Sequence, residues 1–437
     1  MKTYAGHYSQ DEIAKRLFAI EDELTQYWKD NSYAVTDEEI QLDFRQRIEA
    51  ASFGRNTVRF SAAGLPMILV KFEPNEKALL SYLYGDSTAG IHPAFVIDGV
   101  VKSWYFAKYL AGRVGSTNYA VSLRGLEPAH TITHDASVTL VKNRSDGAHM
   151  ATTAEWGYIS LLAMRNAFQS RGNTHYGRHY VQTDEYGVGV ISSGDRYGRT
   201  LTGSGPYAWS HDGTPFGVFD LVGNVWKWTA GMRIVNGEIQ VFANNNAAGT
   251  LSTLAAHAVA SAEWKAIDIN GNLVTPEADL DPWADATPYV TGNIVMNDGV
   301  RYKATGDHTS ATATEPGTGV DWETVWVREG TLHYRYTGSA LILSDYAGGL
   351  DPSTSRTATF SAMTSDITPP DIVKQLGLYP KTSAGPLGTV YARDAERMPI
   401  RGGHWSSTSY AGFGCLNMHN TRAHSSYGRG LALAYQE

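Results

Sequence analysis

A single cysteine, Cys415, stands in 437 residues, so no disulfide framework and no paired-thiolate metal site can form within the chain. Positive charge is also short: 36 Lys and Arg face 44 Asp and Glu, a formal net charge of -8, which argues against a general binder of nucleic acid, since neutralising phosphates needs a basic surface. No apolar run approaches the roughly 20 residues that cross a bilayer. The first residues, MKTYAGHYSQDEIAKRL, lack the apolar centre of a secretory leader. These absences lead to the expectation of a soluble chain, without membrane insertion, folded in a reducing cytoplasm whatever its destination.

Hydrophobic residues make up 42% of the chain and charged residues 18%, enough apolar surface to fold rather than stay disordered. The excess lies in 44 Gly, 25 Tyr and 11 Trp, a profile of short strands and turns plugged by aromatics. At roughly 100–200 residues per domain, the length predicts two to four modules.

Ser9 stands three residues before Glu12, a capping-box spacing, and Ile13, Leu17, Ile20, Leu24 and Trp28 follow at helical intervals, predicting an amphipathic helix over 9–30. A second box, Thr36 with Glu39, opens a stripe of Ile40, Phe44 and Ile48 that Gly54 is placed to stop. VRFSAAGLPMILVKFEP (58–74) reads as paired strands around a Gly-Leu-Pro turn. Residues 1–85 are thus expected to form an N-terminal α/β attachment or oligomerisation module. Farther along, 103–110 is strand-like, Asp135 to Asn143 a short helix, and Thr152 a cap toward Glu155 for a helix striped by Trp156, Ile159, Leu162 and Ala163. Gly-rich loops over 171–217 are too long for plain connectors. Trp226 and Trp228 flank Lys227 as in a strand, and Asn236-Gly237 marks a hairpin turn.

Residues 281–328 read as a small all-β insert with a turn at 297–299, whose Trp283, Tyr289, Tyr302, Trp322 and Trp326 are split between plugging its own core and facing out.

Three segments in order, FDLVGNVWKW (219–228), RGGHW (401–405) and a closing Gly-Arg-Gly (428–430), with HPAF (92–95) and MATTAEW (150–156), resemble the formylglycine-generating-enzyme branch of the C-type-lectin fold. More closely they resemble the variable proteins of diversity-generating retroelements, relatives of phage tropism determinants. The resemblance covers roughly 90–280 and 330–437. It implies an α+β C-type-lectin fold in two parts, 86–280 and 329–437, around the insert, which is itself similar to a chitin-binding-type carbohydrate module.

The enzymes of this fold need paired cysteines for copper or a histidine cluster for iron. One cysteine, and a single close pair, His130 and His134, spaced for one helix face if that segment is helical, speak against both, so no catalytic residue, metal or cofactor is assigned. Where calcium-bearing relatives carry a glutamate, Lys227 offers only donors and positive charge.

The stretch 404–427 is poor in aliphatics and lacks strict alternation. Its Ser, His, Tyr, Asn, Gly and Thr resemble a paratope, in which aromatics give rigid contact area and small polar groups adaptable hydrogen bonds. The alternative is an ordinary loop-rich edge. Retroelement diversification, as the resemblance implies it, mutates adenines in asparagine-type codons and never yields Lys, Glu, Gln, Met or Trp; within 404–427 only Trp405 and Met418 are of those types. The expected variable contacts within 401–430 are His404, Ser406, Ser407, Thr408, Tyr410, Phe413, Gly414, Cys415, Asn417, His419, Asn420, His424, Ser426 and Tyr427. Tyr410, Phe413 and Tyr427 are expected to dominate the binding energy, and Cys415→Ser to leave folding intact.

The expected function is a non-enzymatic receptor-binding protein of a phage or prophage tail. It would recognise a bacterial surface protein or glycan, attach to the tail through its N-terminal module, and act as a homo-oligomer, a trimer by resemblance. A bacterial surface-displayed or secreted variable protein is the alternative, and a formylglycine-type oxidase the least supported reading.

Overall fold

The computed structural model describes residues 9–74, 91–193, 196–380 and 386–436, a mixed helix-and-sheet protein. The expected boundary between 85 and 86 lies outside the described residues.

The first helix runs Gln10–Asp30, and its N-terminus is a capping box: Ser9 Oγ accepts from the Glu12 amide while the Glu12 carboxylate accepts from the Ser9 amide at 2.7 Å. The second, Glu38–Ala51, is capped by Asp37 rather than Thr36, because the Asp37 carboxylate takes both the Glu39 and Ile40 amides. A hairpin, Asn56–Phe60 with Pro66–Phe72, follows. Proline is tolerated at the first residue of the second strand.

An eight-stranded sheet begins with that hairpin. Pro66–Phe72 lies between Thr117–Ser122 and Trp104–Ala107, and the C-terminal strand Leu433–Gln436 continues the sheet between Trp104–Ala107 and Ala148–Met150. The N-terminal helices therefore cover one face of a sheet built from both ends of the chain. Their core (Leu17, Leu24, Trp28, Ile48) is continuous with Tyr109, Val121, Phe216 and Phe219. Its polar pin is a fully buried pair: Lys108 Nζ donates to Glu21 at 2.7 Å and to Asn56 at 3.0 Å, and Tyr109 donates its hydroxyl to the other Glu21 oxygen. Removing one member would leave a buried charge uncompensated, at a cost of about 3–5 kcal/mol.

A second sheet of six strands has the order Arg356–Thr359, Thr389–Ala392, Gly412–Asn420, Met398–Gly402, Trp226–Trp228, Arg429–Leu431. A third of seven strands includes the hairpin Met232–Val235 with Glu238–Val241. Its turn is Asn236-Gly237, both at positive φ (50° and 90°), as a tight two-residue hairpin requires. The helix Thr153–Arg165, with a Thr152–Glu155 capping box, is buried along nearly its whole length in the main core. Trp156 joins it to the second sheet through an indole N–H donated to the Phe413 carbonyl at 2.9 Å.

The insert carries a three-stranded sheet (Ile294–Asn297, Val300–Ala304, Trp326–Arg328) and a two-stranded one (Pro288–Tyr289, His308–Thr309). Asp298-Gly299 turns its hairpin at positive φ. Tyr289, Val295, Tyr302, Ala304 and Trp326 form its own small core, with Trp283 and Trp322 packed on it half-buried. Tyr289, Tyr302 and Trp326 are therefore not platforms for sugar, as their burial at 9% exposure or less shows. Among the five expected aromatics, only Trp283 and Trp322 keep appreciable exposed surface.

Candidate ligand-binding face

The segment Asp220–Asn224 knots three stretches of chain. Asp220 and Asn224 adopt left-handed backbone (φ 60° and 61°) around Gly223 (φ 75°). The buried Asp220 carboxylate accepts from the Gly203 amide at 2.8 Å, and Asn224 exchanges two hydrogen bonds with the Thr200 backbone. The Asn224 backbone receives the Trp405 amide and donates to the Asn173 carbonyl. Burial raises the Asp220 carboxyl above the usual carboxylate range and lowers the neighbouring Lys227 ammonium below the usual lysine range.

Lys227 is fully buried, and its Nζ donates to the carbonyls of Leu221 at 2.9 Å and Gly223 at 2.6 Å. The Lys227 side-chain nitrogen thus fills the space between these two carbonyl oxygens. Gly402, at φ 82°, packs over this pocket: a Cβ there would lie 2.0 Å from the Leu221 oxygen and 3.0 Å from Lys227 Nζ, so no other residue fits. Arg401, also fully buried, donates to the Gly377 and Leu376 carbonyls. The two basic side chains of FDLVGNVWKW and RGGHW are therefore internal clamps on the backbone, and neither reaches solvent.

Above this base the predicted contact residues separate into two groups. Gly412–Asn420 is not a loop but an inner strand, flanked by Thr389–Ala392 and Met398–Gly402. Phe413 is 1% exposed and Cys415 0%; Gly414, Asn417 and Asn420 are buried too, as is Ser407 in the preceding loop. None of these six can meet a ligand in this conformation. The segment reads as irregular because of a bulge: Arg401 pairs with Leu416 while Gly402 pairs with Gly412, so Phe413, Gly414 and Cys415 have no facing residue and the inside-outside alternation is lost. Phe413 consequently joins the core around Trp156, whereas Cys415 joins the opposite one around Trp226 and Trp228. Burial pushes the Cys415 thiol up to about 12, making it inert. Ser407 has a local task, its Oγ capping the His404 amide at 3.0 Å and contacting His404 Nδ1 at 2.7 Å.

The other predicted residues lie on two loops: 403–411 at the Gly402/Gly412 end of this sheet, and 421–428, which leaves the strand at its opposite end beside Met398 and returns to Arg429 next to Trp226. His404, Ser406 and Thr408 are half-buried and Tyr410 is 54% exposed on the first; His424 and Tyr427 (61%) are exposed and Ser426 half-buried on the second, while His419 is half-buried near the end of the strand. Trp405 is half-buried, with the Arg199 guanidinium 5.7 Å from its ring centre.

A third segment reaches both loops. The Tyr176 amide donates to the Trp405 carbonyl at 2.7 Å, the Thr408 amide to the Thr174 carbonyl at 3.0 Å, and Arg199 to the Tyr427 carbonyl at 3.0 Å. This Gly-rich stretch carries exposed Tyr176, Tyr186, Tyr197, Val181 and Val188. Five exposed tyrosines from three segments thus stand on stretches tied to one another by two backbone hydrogen bonds and by the Arg199 side chain. The sequence marks 171–217 as too long for connectors but does not place its tyrosines here, because the joining contacts, two main-chain bonds and one from the Arg199 guanidinium, link segments more than two hundred residues apart.

The histidine pair is not a pair. The helix His134–Lys142 begins at His134, so His130 precedes it and instead contacts Glu127 and Thr131, while His134 contacts Asp135 and packs on His257. Among the described residues no three His, Cys, Asp or Glu side chains are grouped to hold a metal. No helix among the described residues is long and apolar enough to cross a membrane.

No protein-family model matches the sequence, and no curated protein matches it.

Proposed function

We propose that the chain is a non-enzymatic receptor-binding protein of a phage or prophage. In this reading it has a C-type-lectin fold of the formylglycine-generating-enzyme type, and its variable end belongs to the retroelement-diversified class. The observation that carries the proposal is the presentation of Tyr410 and Tyr427, exposed on loops tied to the scaffold by the Trp405 amide on the Asn224 carbonyl and the Trp226 amide on the Gly428 carbonyl. Exposed aromatics held by a stiff scaffold lose little entropy on binding, and truncating such an anchor commonly costs about 2 kcal/mol or more.

His404, Ser406, Thr408, Tyr410, His419, His424, Ser426 and Tyr427 are the contact positions of this reading. Phe413, Gly414, Cys415, Asn417, Asn420 and Ser407 pass to the framework. Attachment to a tail structure and a trimeric state belong to the same proposal. Multivalency would then raise weak single-site affinity by about 10² or more. The test is adsorption of the purified chain to a panel of bacterial strains, with the Tyr410→Ala/Tyr427→Ala double variant as control. Unchanged adsorption by that variant would remove the proposed face. The neighbouring DNA supplies a second test: a near-identical repeat differing at adenines, beside a reverse transcriptase gene, is the expected finding.

A further inference from the structure

Some arginines near the candidate face are paired with carboxylates. Arg422 holds Glu396 and Asp135, Arg233 also holds Glu396, and Arg199 holds Glu127. Three are not. Among the described residues, Arg393, Arg397 and Arg429 have no carboxylate within ion-pairing distance, and their hydrogen-bond acceptors are neutral: Ser355 Oγ at 3.0 Å for Arg393, the Asp394 and Pro352 carbonyls for Arg397, and Asn420 Oδ1 at 2.7 Å with Ser426 Oγ for Arg429.

Two histidines complete the group through the same acceptors. Asn420 Oδ1 also lies 2.9 Å from His424 Nδ1, and Ser355 Oγ lies 3.2 Å from His419 Nδ1. Since Asn420 Oδ1 can only accept, His424 Nδ1 donates and its Nε2 is left to take a proton. Desolvation, and then the positive charges of Arg393, Arg429, His424 and Arg397, depress His419; desolvation, Arg429 and Arg393 depress His424. The neighbouring carboxylates are engaged elsewhere: Glu396 on two arginines, Asp351 on the Ser353 and Thr354 amides. Asp394 acts on Arg397.

We propose that Arg393, Arg429, His419 and His424 form an oxyanion site beside the tyrosine face, taking a carboxylate, sulfate or phosphate group of the bound ligand. A chain of net charge -8 that leaves Arg393 and Arg429 without an ion-pairing carboxylate holds a local positive field there, which attracts anions and speeds their encounter. The inference rests on the proposed face and names the chemistry of what it binds. Arg393, Arg397 and Arg429 lie outside 404–427 whereas His419 and His424 lie within it, so in this reading diversification would spare the arginines and alter the histidines. Both histidines are depressed when free, so an arriving anion raises their proton affinity and binding strengthens as pH falls.

The experiment uses the full chain with labelled histidines and titrates inorganic sulfate, which stays a dianion throughout, against chloride at matched ionic strength. Saturable shifts of the His419 and His424 resonances are expected, with affinity rising up to about tenfold per pH unit for each proton taken up below pH 7. Arg393→Gln, at a half-buried position, should weaken the response, and the pH series on the unsubstituted chain needs no variant to fold. Shifts linear in sulfate, or equal to those in chloride, overturn the site. Displacement of sulfate by polygalacturonate points to an acidic polysaccharide, and by polyglutamate to an acidic protein segment. Displacement by neither overturns the role in ligand binding. If the sulfate response fails while the double tyrosine variant still loses adsorption to cells, the anion site falls and the face stands; the reverse pattern removes the face alone.

Discussion

Replacing Phe413 by alanine separates a core residue from a ligand contact. The ring is 1% exposed, packs edge-on to Trp156 with centroids 6.3 Å apart, and belongs to the main core. An aromatic side chain buries about 150–250 Å². At about 25 cal/mol per Å² the lower figure corresponds to roughly 4 kcal/mol, and phenylalanine-to-alanine changes in cores cost about 3–5 kcal/mol once the cavity is included. Tyr410→Ala, at a 54% exposed position two residues before the strand, should change stability by no more than about 0.5 kcal/mol. Urea denaturation followed by tryptophan fluorescence on both variants supplies the comparison. Equal midpoints for Phe413→Ala and the parent would show that the ring is not buried and would return Phe413 to the set of ligand contacts.

Cys415 should resist an aqueous thiol reagent in the native protein and react once in denaturant; native labelling at the rate of a free thiol would contradict its burial. Lys227→Met should destabilise by about 3–5 kcal/mol, because the Leu221 and Gly223 carbonyls lose their charged donor inside the core; a variant as stable as the parent in urea would show that the ammonium is not their clamp. Acid should weaken the fold before the carboxylates titrate. His92 and His257 are held down to about 3 by burial, so between pH 6.5 and that value the unfolded chain binds the extra protons, and each contributes a loss of about 1.4 kcal/mol per unit of falling pH. A urea midpoint that stays flat from pH 6.5 to 5 would refute this, and His92→Gln should lessen the slope. In the insert, Trp322→Ala should leave the small core standing while Trp326→Ala, at 1% exposure, should unfold it; proteolysis within 281–328 reads the difference.

Local chemistry was legible wherever the signal was local. The boxes at Ser9–Glu12 and Thr152–Glu155, the Asn236-Gly237 and Asp298-Gly299 turns, and the strand around Trp226 and Trp228 depend on residues within a few positions of each other, and the structure bears them out. The mistaken cap at Thr36 is a competition between adjacent residues that a spacing rule cannot rank, won by the carboxylate of Asp37.

What tertiary structure alone decided was which side of the sheet each residue of 404–427 occupies. A strand shows its burial in sequence only through alternation, and the bulge at Phe413–Cys415 erased that alternation, so buried Phe413 and exposed Tyr410 looked alike in sequence. The lone cysteine is the sharpest case: its number excluded disulfides from the start, but only the packing of Gly412–Asn420 between two strands made it an inert part of the core. The tyrosines of 176–197 joined the face through contacts between segments more than two hundred residues apart, two of them main-chain bonds and one from the Arg199 side chain, and contacts of that range leave no pattern in the local sequence.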